Sequence, residues 1–241
     1  MIPQFTDNYD ITKIQCTSHK GAMVLDNVLN EDECKQLCEL SLEDGRKDMN
    51  FPQLSTVITS RIQSFLPSTI FEPDDELKPR SKHDHDNNNQ YWYFQEIYPY
   101  WKFYRKPVGN SLGLHYDKVC VYNVDYKSIF STLLYLQESD GNLFIQEENI
   151  EIEPKMGRMV IFHMKKLHKA LPNLQNTKIF LRSKLMFVRG RKIEKENDKE
   201  AIQIYREGLS FSRTEPEKYQ SYYEKACSLS PLFERTSFPF I

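Results

Sequence analysis

The sequence predicts a mostly β chain: an all-β core of the sandwich or barrel kind, with helices ahead of it and helices behind it. Three observations carry this reading. After Tyr91, short aromatic and β-branched runs recur between turn signals, which is the rhythm of many short strands. Before that point, and again after residue 191, apolar residues keep helical spacing instead. The composition is 13% aromatic with only 8 glycines in 241 residues, which suits a compact β-containing globule better than a disordered or collagen-like chain.

Residues 1–20 read as a polar N-terminal arm. Ala22–Val28 (AMVLDNV) reads as a strand. Asn30 then caps a helix, because Asn30 with Glu33 approximates a capping box and Cys34, Leu37, Cys38 and Leu42 keep helical spacing. A second helix is expected from about Ser55, with Val57, Ile58, Ile62 and Phe65 on one side and Pro67 ending it. Residues 21–70 thus form a helical lead-in. Residues 71–90 form a loop whose text is polar from Pro73 onward (PDDELKPRSKHDHDNNNQ). The β-core follows over 91–190, in the runs YWYFQEI, WKFY, LGLHY, IFSTLLYLQ, NLFIQ, RMVIFHM, LHKALP and KIFLRSKLMFV. Asp140-Gly141-Asn142 marks a turn. Residues 191–241 form a C-terminal helical extension. Ala201, Ile202, Tyr205 and Leu209 fit one helix. Thr214 with Glu217 frames a capping box for a second, along which Tyr219, Tyr222, Tyr223 and Ala226 are spaced.

Charge and cysteine content exclude several classes of function. A formal net charge of -2 excludes a globally basic nucleic-acid binder, though not a local basic patch. The five Cys are odd in number and irregularly spaced. Cys34 and Cys38 suit one helix face better than a zinc knuckle, so all five read as reduced thiols. The N-terminus MIPQFTDNYD lacks the basic and apolar regions of a secretory signal, and no apolar run is long enough for a membrane span. These features place the chain in the cytoplasm, with the nucleus as the alternative, and neither secreted nor in a membrane.

The candidate chemistry starts at SLGLHYDKVCVY. In a strand, residues i and i+2 face one side, so His115 and Asp117 can both point at one ion. A third ligand must come from elsewhere, and His163 and His168 both sit in GRMVIFHMKKLHKALP, which reads as two strands around a turn. Two neutral imidazoles and one carboxylate leave coordination positions open. That facial triad suits non-haem Fe(II), although zinc accepts such ligands too. The tract with His83, Asp84, His85 and Asp86 reads as a solvated loop.

From Val24 to Val188 the chain resembles the prolyl 4-hydroxylase-like branch of the Fe(II)/2-oxoglutarate-dependent dioxygenases. The resemblance is carried in order by VLDNVLNEDECKQL, KFYRKPVGNSLGLHYD, STLLYLQ, DGNLFI, PKMGRMVIF and LHKALPNLQNTKIFLRSKLMF. It implies a double-stranded β-helix (jelly-roll, cupin-like) core within a dioxygenase domain at 21–190. It implies His115, Asp117 and His168 as the metal ligands. It also implies Lys178 as the cation facing the distal carboxylate of 2-oxoglutarate, Tyr135 as a hydroxyl donor to that carboxylate, and Arg182 as the alternative cation. The implied cofactors are Fe(II), 2-oxoglutarate and O2, with ascorbate as a further candidate. The implied reaction hydroxylates an unactivated C–H bond, with succinate and CO2 as co-products and a prolyl residue of a protein or peptide as substrate. A nucleic acid or small molecule as substrate, or a non-catalytic binding module, are the alternatives.

Two departures stand out against that family. Lys106 occupies a position where the family commonly has Tyr, and Gly141-Asn142 replaces a Gly-Gly pair. A further feature belongs to this sequence alone. Between Lys155 and Lys192 there is no Asp or Glu, whereas Glu138–Glu153 is acidic with no Lys or Arg. If the basic residues share a face, they would attract an acidic polypeptide or nucleic acid. If neighbouring strands neutralise them, they would not.

Overall fold

The structure, a computed structural model, describes residues 3–6, 9–19, 21–40, 45–67, 69–71, 91–123, 126–189, 196–209, 211 and 215–230. After a short 3-10 helix at Ile11–Lys13 come β1 (Gln15–His19), β2 (Ala22–Asp26), α1 (Glu31–Glu39), β3 (Gly45–Asn50), α2 (Pro52–Ile62) and β4 (Thr69–Phe71). The β-rich middle holds β5 (Tyr91–Ile97), β6 (Tyr100–Lys106), β7 (Leu112–His115), β8 (Val121–Asn123), β9 (Tyr126–Tyr135), β10 (Leu143–Ile145) and β11 (Ile150–Ile152). It ends with β12 (Met159–His163), β13 (His168–Ala170) and β14 (Lys178–Arg189), before α3 (Glu196–Leu209) and α4 (Pro216–Leu229). Two compact units form. One is Met1–Pro67 with Glu96–Val119 and Ser128–Met186, and the other is Ser68–Gln95 with Cys120–Lys127 and Phe187–Ile241.

The first unit contains two antiparallel sheets. The larger runs β1-β2-β12-β9-β14 and continues from β14 to β6 and from β6 to β3. The smaller has four strands in the order β11-β10-β13-β7. Alternate residues of both sheets point inward. Val24, Leu133, Tyr135, Val160 and Phe162 from the larger sheet meet Leu143, Ile145 and Ile152 from the smaller in one buried cluster. Two antiparallel sheets closed on a shared core make a jelly-roll arrangement, the mostly β fold with flanking helices that the sequence predicts.

The helical lead-in covers the outer side of this unit. The Asn30 side chain accepts from the Glu33 amide at 2.9 Å and the Glu33 carboxylate accepts from the Asn30 amide at 3.0 Å, so the capping box is complete. The same carboxylate takes two hydrogen bonds from Arg61 of α2, at 2.7 and 2.8 Å, in a buried ion pair. Burial alone would raise the Glu33 carboxyl, but the bonds from Arg61, Thr6 and Asn30 hold it below the usual range. Helix α2 starts at Pro52, earlier than its apolar spacing suggests, because Pro is tolerated in a first turn. It ends at Ile62 and not at Pro67. Ser55 accepts from Trp101 Nε1 at 2.9 Å, fixing α2 against the outer face of β6.

Strands β1 and β3 carry no periodic signal in the sequence. Every residue of β1 is exposed, and β3 (GRKDMN) has a single apolar side chain, the half-buried Met49, so there is no apolar alternation to read. Charged residues on such outer strands discourage pairing with other chains. Gly157 shows why a glycine is required after PKM. Its φ is +74°, and a Cβ there would lie 2.3 Å from the Leu29 carbonyl oxygen.

In the second unit, β4 pairs with β5 from Thr69↔Tyr93 to Phe71↔Tyr91, and β8 pairs with the start of β9 at Val121↔Lys127. Helices α3 and α4 pack through Tyr205 against the rings of Tyr219 and Tyr223, at 6.2 and 6.1 Å. Pro216 lies in the first turn of α4 as expected, but the N-cap position falls on Glu215 with no side-chain cap. Thr214, the expected capping residue, lies outside the described residues. None of the five cysteines is in a disulfide. Among the described residues no helix is long and apolar enough to cross a membrane.

Candidate functional site

The smaller sheet brings the two histidines together. His115 ends β7, His168 begins β13, and the two are register partners. Their rings lie 4.2 Å apart. Each Nδ1 sits 2.9 Å from the carbonyl oxygen two residues earlier, Gly113 for His115 and Lys166 for His168. A carbonyl can only accept, so each Nδ1 carries the hydrogen, and in the neutral ring that a metal requires Nε2 is then the free lone pair. Asp117 lies just past β7 and faces both lone pairs. Its Oδ1 is 3.8 Å from His115 Nε2 and its Oδ2 is 3.8 Å from His168 Nε2. The three donor atoms lie within 4.8 Å of one another.

The larger sheet holds the carboxylate in place. Ser131 Oγ of β9 donates to Asp117 Oδ2 at 2.5 Å, and Arg182 Nη1 of β14 donates to Oδ1. The carboxylate and the His168 ring are nearly closed to solvent, with 3% and 5% of their side chains exposed, whereas His115 retains 27%. The cluster therefore opens on the His115 side. Burial, more than any neighbour, pushes His168 below the usual histidine range, which keeps its imidazole neutral. The Phe162 ring meets it edge-on at 4.6 Å.

Lys178, the first residue of β14, is 4% exposed. Its Nζ donates to the Gly141 carbonyl at 2.7 Å and reaches the Leu171 carbonyl at 3.5 Å. Neither partner is an anion. Burial, assisted by Lys106 and opposed by Asp140, pushes the ammonium down to about 8. Asp140 accepts from the backbone amides of Leu174 and Gln175. Gly141 is needed for close approach, since a Cβ there would sit 2.7 Å from Lys178 Nζ. Tyr135 is buried in the inner cluster, 6.0 Å ring to ring from Phe180. Burial raises its hydroxyl, and no hydrogen bond contributes to that shift.

The structure thus gathers His115, Asp117, His168 and Arg182 at one point, with Lys178 and Tyr135 set apart on the inner faces of β14 and β9. His163 stands elsewhere. It follows the inward Phe162 on β12, so it faces the other way, its ring against Phe130 and its Nδ1 accepting from the Lys165 amide. The loop with His83 and His85 lies outside the described residues. Part of the long basic run is neutralised within the chain: Arg158 pairs with Asp26, Lys166 with Glu148 and Lys155 with Glu153. Ser131 and Asn173 escaped the sequence reading. Asn173 is buried and donates to the carbonyls of Lys106, Pro107 and Asn176, tying the loop after β6 to the loop before β14. The signal for Ser131 was present, since it shares the face of Tyr135 by alternation. Asn173, in an irregular loop, has no such periodicity to mark it.

A family model matches the segment that builds the candidate site. Residues 101–185 match the model of the 2OG-Fe(II) oxygenase superfamily, a span that includes all six predicted site residues. The chain therefore resembles that superfamily on the segment that builds its candidate site. The cofactors of the class are Fe(II) and 2-oxoglutarate. Among solved structures, the chain is similar to the viral collagen prolyl hydroxylase of Paramecium Bursaria Chlorella virus-1, at 18% identity over 70% of this chain and 96% of that one, with a TM-score of 0.48. It is similar to a Pseudomonas putida prolyl-4-hydroxylase at 16% identity, over 71% and 93% of the two chains, with a TM-score of 0.42. Iron-bound HygX from Streptomyces hygroscopicus aligns at 11% identity over 70% and 82%, with a TM-score of 0.44. A search of curated proteins gives no match.

The residues present fit the two cofactors. Two imidazole lone pairs and a carboxylate on one rim are the donor set that non-haem Fe(II) takes while keeping positions open. A buried ammonium bonded only to carbonyls is what the far end of a small dicarboxylate needs.

Proposed function

We propose that the chain is an Fe(II)- and 2-oxoglutarate-dependent oxygenase that hydroxylates a C–H bond of a protein or peptide, with a prolyl residue as the target. The observation that carries the reading is the convergence of His115 Nε2, Asp117 and His168 Nε2 within 4.8 Å. In this reading those three residues hold the metal, and Lys178 with the Tyr135 hydroxyl takes the distal carboxylate of 2-oxoglutarate. When bound, the metal and 2-oxoglutarate supply the oxidising chemistry that places one oxygen atom of O2 on the substrate and releases succinate and CO2.

The chain's own groups do the positioning. The Gly113 and Lys166 carbonyls fix both imidazole tautomers. Ser131 and Arg182 orient Asp117 and compensate its charge. Phe162, Leu133 and Val160 keep water from the inner side, and the half-open His115 side leaves the approach for substrate.

The test is succinate formation from 2-oxoglutarate with added Fe(II), together with mass spectrometry of proline-containing peptides for the gain of one oxygen. Turnover that needs Fe(II) and falls to background in His168→Ala supports the reading. Turnover that survives in His168→Ala refutes the ligand assignment. Oxygen gain only on residues other than proline refutes the prolyl target.

A further inference from the structure

Across β3, β6 and β14 the register puts Asp48, Lys102 and Arg182 in one row, with Asp48 and Arg182 each directly opposite Lys102. Cross-strand partners share a face, so all three point to the side of the sheet that carries the candidate site. Both neighbouring carboxylates are already taken. Asp48 is held at both oxygens by Arg46, each at 2.6 Å, and Asp117 is held by Arg182. Lys102 is half-buried between these two ion pairs. Burial lowers its ammonium below the usual range, and Arg182, Arg46 and Lys184 all push the same way against Asp48 alone.

Two like charges directly opposite on neighbouring strands destabilise a sheet. A chain that keeps Lys102 opposite Arg182, with the carboxylates on either side committed elsewhere, bears that cost at a position one residue pair from Asp117. An anion supplied from outside would remove it. The nearby strand edge indicates what carries the anion. Among the described residues, β7 pairs only with β13, and it leads to His115 with Leu112, Leu114 and Tyr116 exposed. An open edge with an apolar rim takes an extended polypeptide by strand addition.

The geometry points to an acidic polypeptide segment as the substrate, with Lys102 as the specificity residue that pairs with a carboxylate side chain close to the residue being hydroxylated. This rests on the reading of the site as a peptide oxygenase and adds the class of peptide. Arg46 and Arg182 already occupy the two resident carboxylates, so three cations share two carboxylates and an incoming carboxylate would balance the third. Because that cation is partly desolvated, the pairing discriminates more strongly than a fully solvated surface lysine would.

The experiment uses the full chain and two fluorescent peptides of equal length, one of alternating Pro and Glu and one of alternating Pro and Gln. Anisotropy titrations are run at several salt concentrations. The acidic peptide is expected to bind about tenfold tighter, as one charge-assisted contact provides, and the preference is expected to shrink as salt rises. Lys102→Ala and Lys102→Met should abolish the preference, and Lys102→Arg should restore it. Equal binding of the two peptides, or a preference that survives in Lys102→Ala and Lys102→Met, overturns the inference. Displacement of the acidic peptide by oligothymidylate more strongly than by its own unlabelled form overturns it in favour of nucleic acid. Succinate formation by the wild-type chain without peptide is read in parallel. Its absence counts against the oxygenase reading and leaves the peptide preference to be judged by anisotropy alone.

Discussion

Lys178 and Arg182 lie four residues apart on one face of β14, and their surroundings are opposite. Arg182 is neutralised by Asp117 within the chain. Lys178 is more deeply buried and meets only two carbonyls. A buried cation with no carboxylate bonded to it is costly, and Asp140 offsets the burial of Lys178 only in part. Arg61 shows the resolved case, buried with the Glu33 carboxylate bound at both oxygens. The contrast assigns different work to two residues that look interchangeable in the text KIFLRSK. In the proposed reading Arg182 serves the metal side of the site by holding Asp117. Lys178 is then the cation left for the carboxylate of the co-substrate.

Four changes would break or sharpen that contrast. The largest effect is expected from Asp117→Ala, which removes a proposed ligand and strands Arg182. Succinate formation should fall by more than about 100-fold, since even outer-shell partners of a metal are worth 10- to 100-fold. Next comes Lys178→Met, which should raise the KM for 2-oxoglutarate by about 10- to 100-fold, the value of a charged hydrogen bond. Metal affinity, measured by calorimetry, should stay near wild type.

Arg182→Met should show the reverse pattern. It leaves Asp117 buried without its cation, so metal-free stability to denaturant should drop by about 2 kcal/mol, below the range for fully buried pairs because the outer end is wet. Added divalent metal should restore that stability, and the KM for 2-oxoglutarate should move far less than in Lys178→Met. If the two variants exchange these signatures, the assignment of the cations is inverted.

The smallest effect is a pH dependence. The Lys178 ammonium is pushed down to about 8 in the folded chain, and the charged form is the one that pairs with a carboxylate. Affinity for 2-oxoglutarate should therefore be flat below about pH 8 and fall by up to about tenfold per pH unit above it. The stability linkage has the opposite sign. Between about 8 and the ordinary lysine range near 10.4, the unfolded chain binds the proton and the folded chain does not, so without ligand this residue makes folding more favourable as pH rises. That component should vanish in Lys178→Met.

Much of this was legible in the sequence, and the limits have physical causes. The eight aromatic and β-branched runs correspond to β5, β6, β7, β9, β10, β12, β13 and β14, and each of these but the largely exposed β7 buries at least one side chain. Strands β1 and β3 were illegible because polar edge strands bury no face. The i, i+2 spacing of His115 and Asp117 allowed a pair, and the resemblance of the surrounding segment gave that pair its weight. His168 could not be separated from His163 by spacing, since both lie at strand ends; the inward turn of Phe162 is what sends His163 to the far side. The basic run shows the same limit from the other direction. Its partner Asp26 comes from β2 and Glu148 from the turn between β10 and β11, so only the folded chain reveals that part of it is neutralised. Lys102 lies outside that run, and its importance comes from two neighbours on other strands.

In the proposed reading one site holds the metal at His115, Asp117 and His168 and the co-substrate at Lys178. Anaerobic addition of Fe(II) and then 2-oxoglutarate, followed in the visible spectrum, tests it most directly, because chelation of the metal by the keto acid produces a charge-transfer band without any turnover. The band should appear in the wild-type chain, be absent in His168→Ala, and require higher 2-oxoglutarate in Lys178→Met but not in Arg182→Met. A band unchanged in His168→Ala, or no band in the wild type, would contradict the account.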